Sequence, residues 1–377
     1  MSRQSRFLAS LLALLATPEI AHAQAETLDA AAAAFGARPT VLDISISPSG
    51  DRVAYVMPGQ GSTEVVFVRE LSADAEPRLV TYLSDPDLTL TACDWASESH
   101  LVCQFHGITT ADTTLIGFTR MVSIPVDGSA AVILTARDSF RALGLQQDGG
   151  SVLALDVPGE DGRILMTRDF VPEFTTGSRS ASSEDGLGVE AVDVTNGRRS
   201  VVESPHLLAS RFVADSEGRV RVRVRRLQDN QGVLTGETEY QYRQPDSDRW
   251  STFSAGLEDF APVAVDSGLN VAYGFGEIGG YEALQSVSLD GLETRSVILS
   301  RDDVDVDGLI RIGRQQRVVG ASFATEKRQI AYLDDSFAAL ARRLQAALPG
   351  QPLISIVDAA TGSARTGFRR GKLPLAM

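Results

Sequence analysis

This sequence predicts an all-β fold: a β-propeller of six to seven four-stranded blades with the last blade incomplete. A short hairpin motif recurs about every 50 residues, and a second hairpin follows it in most units. A further unit begins near the C-terminus and breaks off.

The first copy is "DISISPSGDRVAYV" (43–56), two alternating apolar runs around a Ser-Pro-Ser-Gly turn. The second is "TACDWASESHLVCQF" (91–105), turning near Glu98. "LGLQQDGGSVLAL" (143–155) would turn at Gly149, "RFVADSEGRVRVRV" (211–224) at Gly218 and "VAVDSGLNVAYGF" (263–275) at Gly268. "IRIGRQQRVVGAS" (310–322) is a weaker copy turning near Gln315. One interval is long and contains "TTGSRSASSEDGLG" (175–188), which reads as an inserted loop. Second hairpins are expected at 122–134, 189–202, 240–253 and 285–299. A blade is hydrophobic on both faces, so stacking around an axis is the economical way to bury it; a β-sandwich would not predict a steady two-hairpin unit.

"SFAALARRLQAALPG" (336–350) reads as a helix, with Phe337, Leu340, Leu344 and Leu348 at helical spacing and Pro349-Gly350 as its stop. "LISIVDAATG" (353–362) then restarts the blade motif, but a basic, unpatterned tail follows it. The expected organisation is a signal peptide at 1–23, an N-terminal segment at 24–42, the propeller at 43–361 and an irregular tail at 362–377.

The leader has Arg3 and Arg6, the apolar core "FLASLLALLA" (7–16) and small residues around Ala23 and Ala25. Ten apolar residues are too few for a bilayer span, so an exported, periplasmic or secreted protein is expected. The net charge of -14 argues against nucleic acid as a partner, since phosphate binding needs a basic patch. No membrane span is expected. Centring the second hairpin on Glu98 sets Cys93 opposite Cys103, which favours a cross-strand disulfide in an oxidising compartment. A reduced pair of small buried residues is the alternative.

Candidate chemistry is sparse. The G-x-S-x-G nucleophile turn of α/β-hydrolases is absent. Past the leader only His100, His106 and His206 remain, and all three read as structural. Asp303, Asp305 and Asp307 with Gly308 fit the front of a calcium loop, but Arg314 stands where the closing Glu is needed, so turn-amide binding is the better reading. "RVRVRVRR" (219–226) puts Arg on one strand face, as a solvated edge or, less favoured, a channel lining. No cofactor, no metal and no catalytic residue is expected.

Taken together, "ISPSGDRVAYV", "CDWASESHLVC", "DVDVDGLI" and "FAALARRLQAALPG" resemble the N-terminal propeller of prolyl oligopeptidase family serine peptidases, particularly exported bacterial members of alpha/beta hydrolase type. The resemblance runs from about residue 40 to about residue 360. It implies a propeller that gates peptide access to a hydrolase site holding Ser, Asp and His, none of which has a counterpart here. On this resemblance the chain reads as a truncated or frameshifted peptidase lacking its hydrolase domain, not an enzyme by itself. The alternative is a stand-alone propeller binding a peptide, glycan or partner protein, with residues 26–42 closing the ring.

Overall fold

The computed structural model describes residue 32 and residues 35–360 except 73, 112, 137, 138, 158, 161, 176, 178 and 179. The expected signal peptide and the irregular tail lie outside the described residues.

Residues 40–360 form a β-propeller of six antiparallel sheets. Blade one is β1 (Asp43–Ile46), β2 (Arg52–Pro58), β3 (Glu64–Glu70) and β4 (Arg78–Leu83). Blade two is β5 (Leu88–Trp95), β6 (His100–Ala111), β7 (Thr114–Pro125) and β8 (Val132–Ile133). Blade three is β9 (Val152–Ala154), β10 (Arg163–Phe170), β11 (Gly186–Asp193) and β12 (Arg199–His206). Blade four is β13 (Ala209–Ala214), β14 (Val220–Gln228), β15 (Leu234–Tyr242) and β16 (Ser251–Thr252). Blade five is β17 (Ala261–Asp266), β18 (Val271–Ile278), β19 (Tyr281–Ser288) and β20 (Arg295–Leu299). Blade six has three strands, β21 (Val306–Ile312), β22 (Arg317–Ala324) and β23 (Arg328–Tyr332), followed by α1 (Asp335–Ala347).

Each strand pairs with its neighbours in chain order, and β1 lies beside β5, β9 beside β13 and β13 beside β17. These are meander blades, whose hairpins need only short turns.

The blades are glued face to face. Ala54, Val56, Val66 and Val68 of blade one pack on Leu90, Cys93, Trp95 and Leu101 of blade two. Separate buried clusters fill the next four seams in turn. A sixth joins Ile312 and Val319 of blade six to Phe337 of α1 and to Ile356 beyond it. Such burial yields roughly 25 cal/mol per Å² of apolar surface, so each seam stabilises both of its blades.

The helix is capped at its start by Asp334, whose carboxylate accepts the Ser336 N–H at 2.9 Å. It ends at Leu348 before Pro349 and Gly350, as the sequence predicts.

Three expectations need correction. The third hairpin does not turn at Gly149. Residues 143–150 form no strand; the first strand of blade three is β9, and its hairpin turn spans 155–162. The Gly-Gly pair is a crossing between blades. A Cβ on Gly149 would come within 2.4 Å of the Thr119 carbonyl oxygen, and one on Gly150, whose φ is +89°, within 2.3 Å of that of Thr167. The seventh unit, Leu353 onward, forms no strand either. Nor do residues 35–42, the described part of the segment considered for ring closure.

Candidate functional site at the seventh seam

The residues singled out in the sequence scatter over the fold. Cys93 and Cys103 face each other across β5 and β6 and are bonded, with Cα atoms 4.1 Å apart. His100 Nδ1 lies 2.9 Å from Ser99 Oγ, its chain neighbour. His106 sits mid-strand opposite Thr119. His206 Nδ1 accepts the Leu208 N–H at 3.1 Å. Burial, with Arg225 and Arg223 nearby, holds this imidazole below its ordinary pKa. The three histidines sit apart; His100 has Ser99 and the charge of Asp127 nearby, while the Asp127 carboxylate accepts from Ser129.

The aspartates of 303–307 already have partners. Asp303 pairs with Arg301, Asp305 accepts the Glu282 N–H and Asp307 pairs with Arg328. The arginine-rich strand is also reassigned. β14 lies between β13 and β15, so it is neither a blade edge nor the lining of the axis. Arg221 is 1% exposed and bridges Asp215 and Asn270, while Arg223 lies over Trp250 and Arg225 pairs with Glu239. The alternation gives guanidinium planes rings and acceptors within blade four and, at Arg221, an acceptor on blade five.

What the structure does assemble is a site where a seventh blade would begin. Residues 353–358 lie between blade six and blade one. On one side the Tyr332 hydroxyl donates to the Ile354 carbonyl at 3.0 Å and accepts the Ile356 N–H at 3.1 Å. On the other, Asp358 Oδ2 accepts the Ile46 N–H at 2.8 Å and the Ser45 hydroxyl at 3.2 Å. Asp43 does the same one seam along, accepting the Cys93 N–H at 2.7 Å. The segment thus occupies the inner position of a seventh sector.

Between this segment and β1 lies a cavity of about 570 Å³. Val41, Leu42, Leu344, Leu348, Leu353 and Val357 give it apolar walls. Asp43, Asp94 and Asp358 line it as well, with Arg314. Arg314, 8% exposed, comes from the β21–β22 turn and reaches across the axis. Its Nη2 donates to the carbonyls of Ala96 and Leu155, both at 2.8 Å, and its Nη1 to that of Trp95. It also pairs with Asp156 at 2.5 Å. In a ring of seven sectors the sixth faces the second and third, so this one side chain ties opposite rims together.

The charge balance of the cavity is negative. Arg314 is committed to Asp156 and three carbonyls. Burial pushes the Asp43 carboxyl up, against the pull of the Cys93 and Ile44 N–H groups, and Asp358 adds repulsion. Burial raises Asp94 to about 7, and Asp43 and Asp358 push the same way while Arg314 opposes them. The Asp94 side chain is nevertheless exposed to water, in a cavity that stays open to solvent on one side. No hydrogen bond or ion pair holds Asp94 among the described residues.

The sequence reading passed over these three aspartates. The available signal was their position: each interrupts an inner-strand run, as in Leu42-Asp43-Ile44, Cys93-Asp94-Trp95 and Val357-Asp358.

No family model matches the sequence, and no curated protein matches it. Solved structures that match are β-propellers at low identity. The β-propeller domain of the trilobed protease from Pyrococcus furiosus is 12% identical with a TM-score of 0.44, over 77% of this chain and 78% of that one. An acylaminoacyl peptidase from Pyrococcus horikoshii is 11% identical with a TM-score of 0.41, over 81% of this chain and 47% of that one. This chain thus spans about half the length of that peptidase. An oligogalacturonate lyase in complex with manganese is 12% identical with a TM-score of 0.44, over 77% of this chain and 76% of that one. The chain is a β-propeller, similar to propeller domains of peptidases and to propellers outside them.

Proposed function

We propose that this chain is an exported, non-catalytic propeller that receives and orients short peptides, as the corresponding region of prolyl oligopeptidase-like serine peptidases does for an α/β-hydrolase site. The observation that carries this reading is the seventh inner segment, latched by Asp358 to blade one and by Tyr332 to blade six. It supports a ring of seven sectors in which the last strands and the hydrolase would follow, as the motif resemblance implies. The Cys93–Cys103 bond supports export to an oxidising compartment.

The test is made on the purified chain with its disulfide intact. A fluorophosphonate probe reports an activated serine, and equilibrium dialysis against a mixture of short blocked peptides reports retention. The reading expects no covalent labelling and recovery of bound peptides uncleaved. Labelling with peptide cleavage overturns the non-catalytic assignment. Failure to retain any peptide overturns the peptide-receiving role.

A further inference from the structure

We propose that the cavity at the seventh seam is a binding site for an organic cation on an apolar stem: an amine or guanidinium group, as at a peptide amino terminus or on a basic side chain. This holds whether or not a hydrolase works with the propeller.

The cavity volume, about 570 Å³, is that of sites which enclose small ligands. Its walls are mostly aliphatic, from Leu42 before β1, Leu344 and Leu348 of α1, and Leu353 of the seventh segment. Such walls suit a hydrocarbon stem. Ser45, Ser355 and Gln316 are its neutral polar groups, and its charged groups other than Arg314 are carboxylates. Asp43 from β1, Asp94 from β5 and Asp358 from the seventh segment face one another, and the one cation among them, Arg314 from the β21–β22 turn, is paired with Asp156. Asp43 and Asp358 each hold a backbone N–H, whereas Asp94 has no partner of its own.

A metal ion is a poorer occupant. Among the described residues no three His, Cys, Asp or Glu side chains are grouped closely enough to hold one. A larger cation with several N–H donors spans such a spacing, and charge-assisted hydrogen bonds to carboxylates are the strong ones. Desolvation is the largest cause of the raised Asp94 pKa, and the neighbouring Asp43 and Asp358 carboxylates push the same way. A bound cation would bring Asp94 to its ionised form and release a proton.

The experiment is isothermal titration calorimetry of the full chain with four probes. These are 3-methylbutylamine, Leu-Leu amide, N-acetyl-Leu-Arg amide and neutral N-acetyl-Leu-Leu amide. The charged probes are expected to bind about tenfold or more tightly than the neutral one, as for one charge-assisted contact. For 3-methylbutylamine and N-acetyl-Leu-Arg amide, which stay protonated throughout, affinity should rise about tenfold between pH 5.5 and pH 8 as Asp94 ionises, with proton release seen as a buffer-dependent enthalpy. Asp94→Asn should lose both the affinity and the proton release while keeping a cooperative melt. Asp358→Asn is the second variant should the first not fold. The stronger of the two peptide probes identifies the source of the cation, amino terminus or basic side chain. The proposal is overturned if the neutral probe binds as tightly, if no charged probe binds at 10 mM, or if folded Asp94→Asn binds as the parent does.

Discussion

At the seam between blades one and two, Asp43 accepts the Cys93 N–H at 2.7 Å, and the Trp95 indole N–H donates to the Ser45 carbonyl at 3.1 Å. At the seam between the seventh segment and blade one, Asp358 accepts the Ile46 N–H at 2.8 Å. Each latch is a carboxylate on one sector holding an amide of the next. The fillings differ. Behind the first latch Trp95, Leu101, Val56 and Val66 are all at most 1% exposed. Behind the second is a cavity, with Leu353 45% and Val357 50% exposed at its rim. One polar latch therefore serves two purposes. With an apolar core behind it, it aligns a structural joint; without one, it holds open a space in which carboxylates face each other within reach of water.

The sharpest way to break this contrast is to truncate one large side chain at each seam. Trp95→Ala should cost about 3–5 kcal/mol, because it opens a core cavity and removes an indole hydrogen bond. Val357→Ala, at a half-exposed position, should cost less than about 0.5 kcal/mol. Urea denaturation of both variants measures the difference. Equal losses would mean that the seventh seam is packed as tightly as the first.

The disulfide sits in the closed seam, where both sulfurs are buried with Trp95 and Leu90. Replacing Cys93 and Cys103 with alanine should lower stability by about 2–3 kcal/mol, because a short loop in the unfolded chain is released. An unchanged midpoint would show that packing alone holds β5 against β6. A smaller effect is expected at the other latch. Asp358→Ala removes the acceptor for Ile46 N–H but leaves the five filled seams intact. The expected global loss is about 1 kcal/mol. The larger sign is local: faster hydrogen exchange at Ile46 and Ile356, read by amide-resolved exchange. Unaltered exchange would sink the latch.

The blade repeat was legible because each hairpin turns on residues that announce themselves. Gly50, Gly218 and the Asp266-Ser267-Gly268 turn all sit where the sequence sets them, as do the strands around Glu98. Gly149 misled for a physical reason. A glycine needed for close backbone approach looks the same in sequence as a glycine needed for a turn. Arg221 misled similarly, since its burial depends on Asp215 and on Asn270 from the next blade. The site itself was only half legible. "LISIVDAATG" marked a seventh unit, but the meeting of Asp43, Asp94 and Asp358 is set by ring closure across more than 300 residues. No local pattern carries that, and Arg314 could be read only as a misfit in a calcium motif until its carbonyl partners were seen.

The finest distinction between the seams is electrostatic. Asp94 has an ordinary value of 3.8 in the unfolded chain and about 7 in the fold. Between those two values the folded state binds a proton that the unfolded state does not. The penalty from this group is therefore absent below about pH 4, grows as pH rises towards 7, and is complete above it. Several carboxylates work the other way. Asp307 beside Arg328 and Asp259 beside Arg295 are held below their ordinary values, and they stabilise the fold as pH rises from the acid side. Asp94→Asn isolates the one term from the other, since it removes the repulsion without changing side-chain shape. Thermal melts of the parent and the variant at pH 4.5 and pH 8 should therefore diverge. The two should be similar at pH 4.5, and the variant should melt higher at pH 8. A parent that gains as much as the variant on going to pH 8 would mean that Asp94 ionises freely, and that the seventh seam is as open to water as the outer surface.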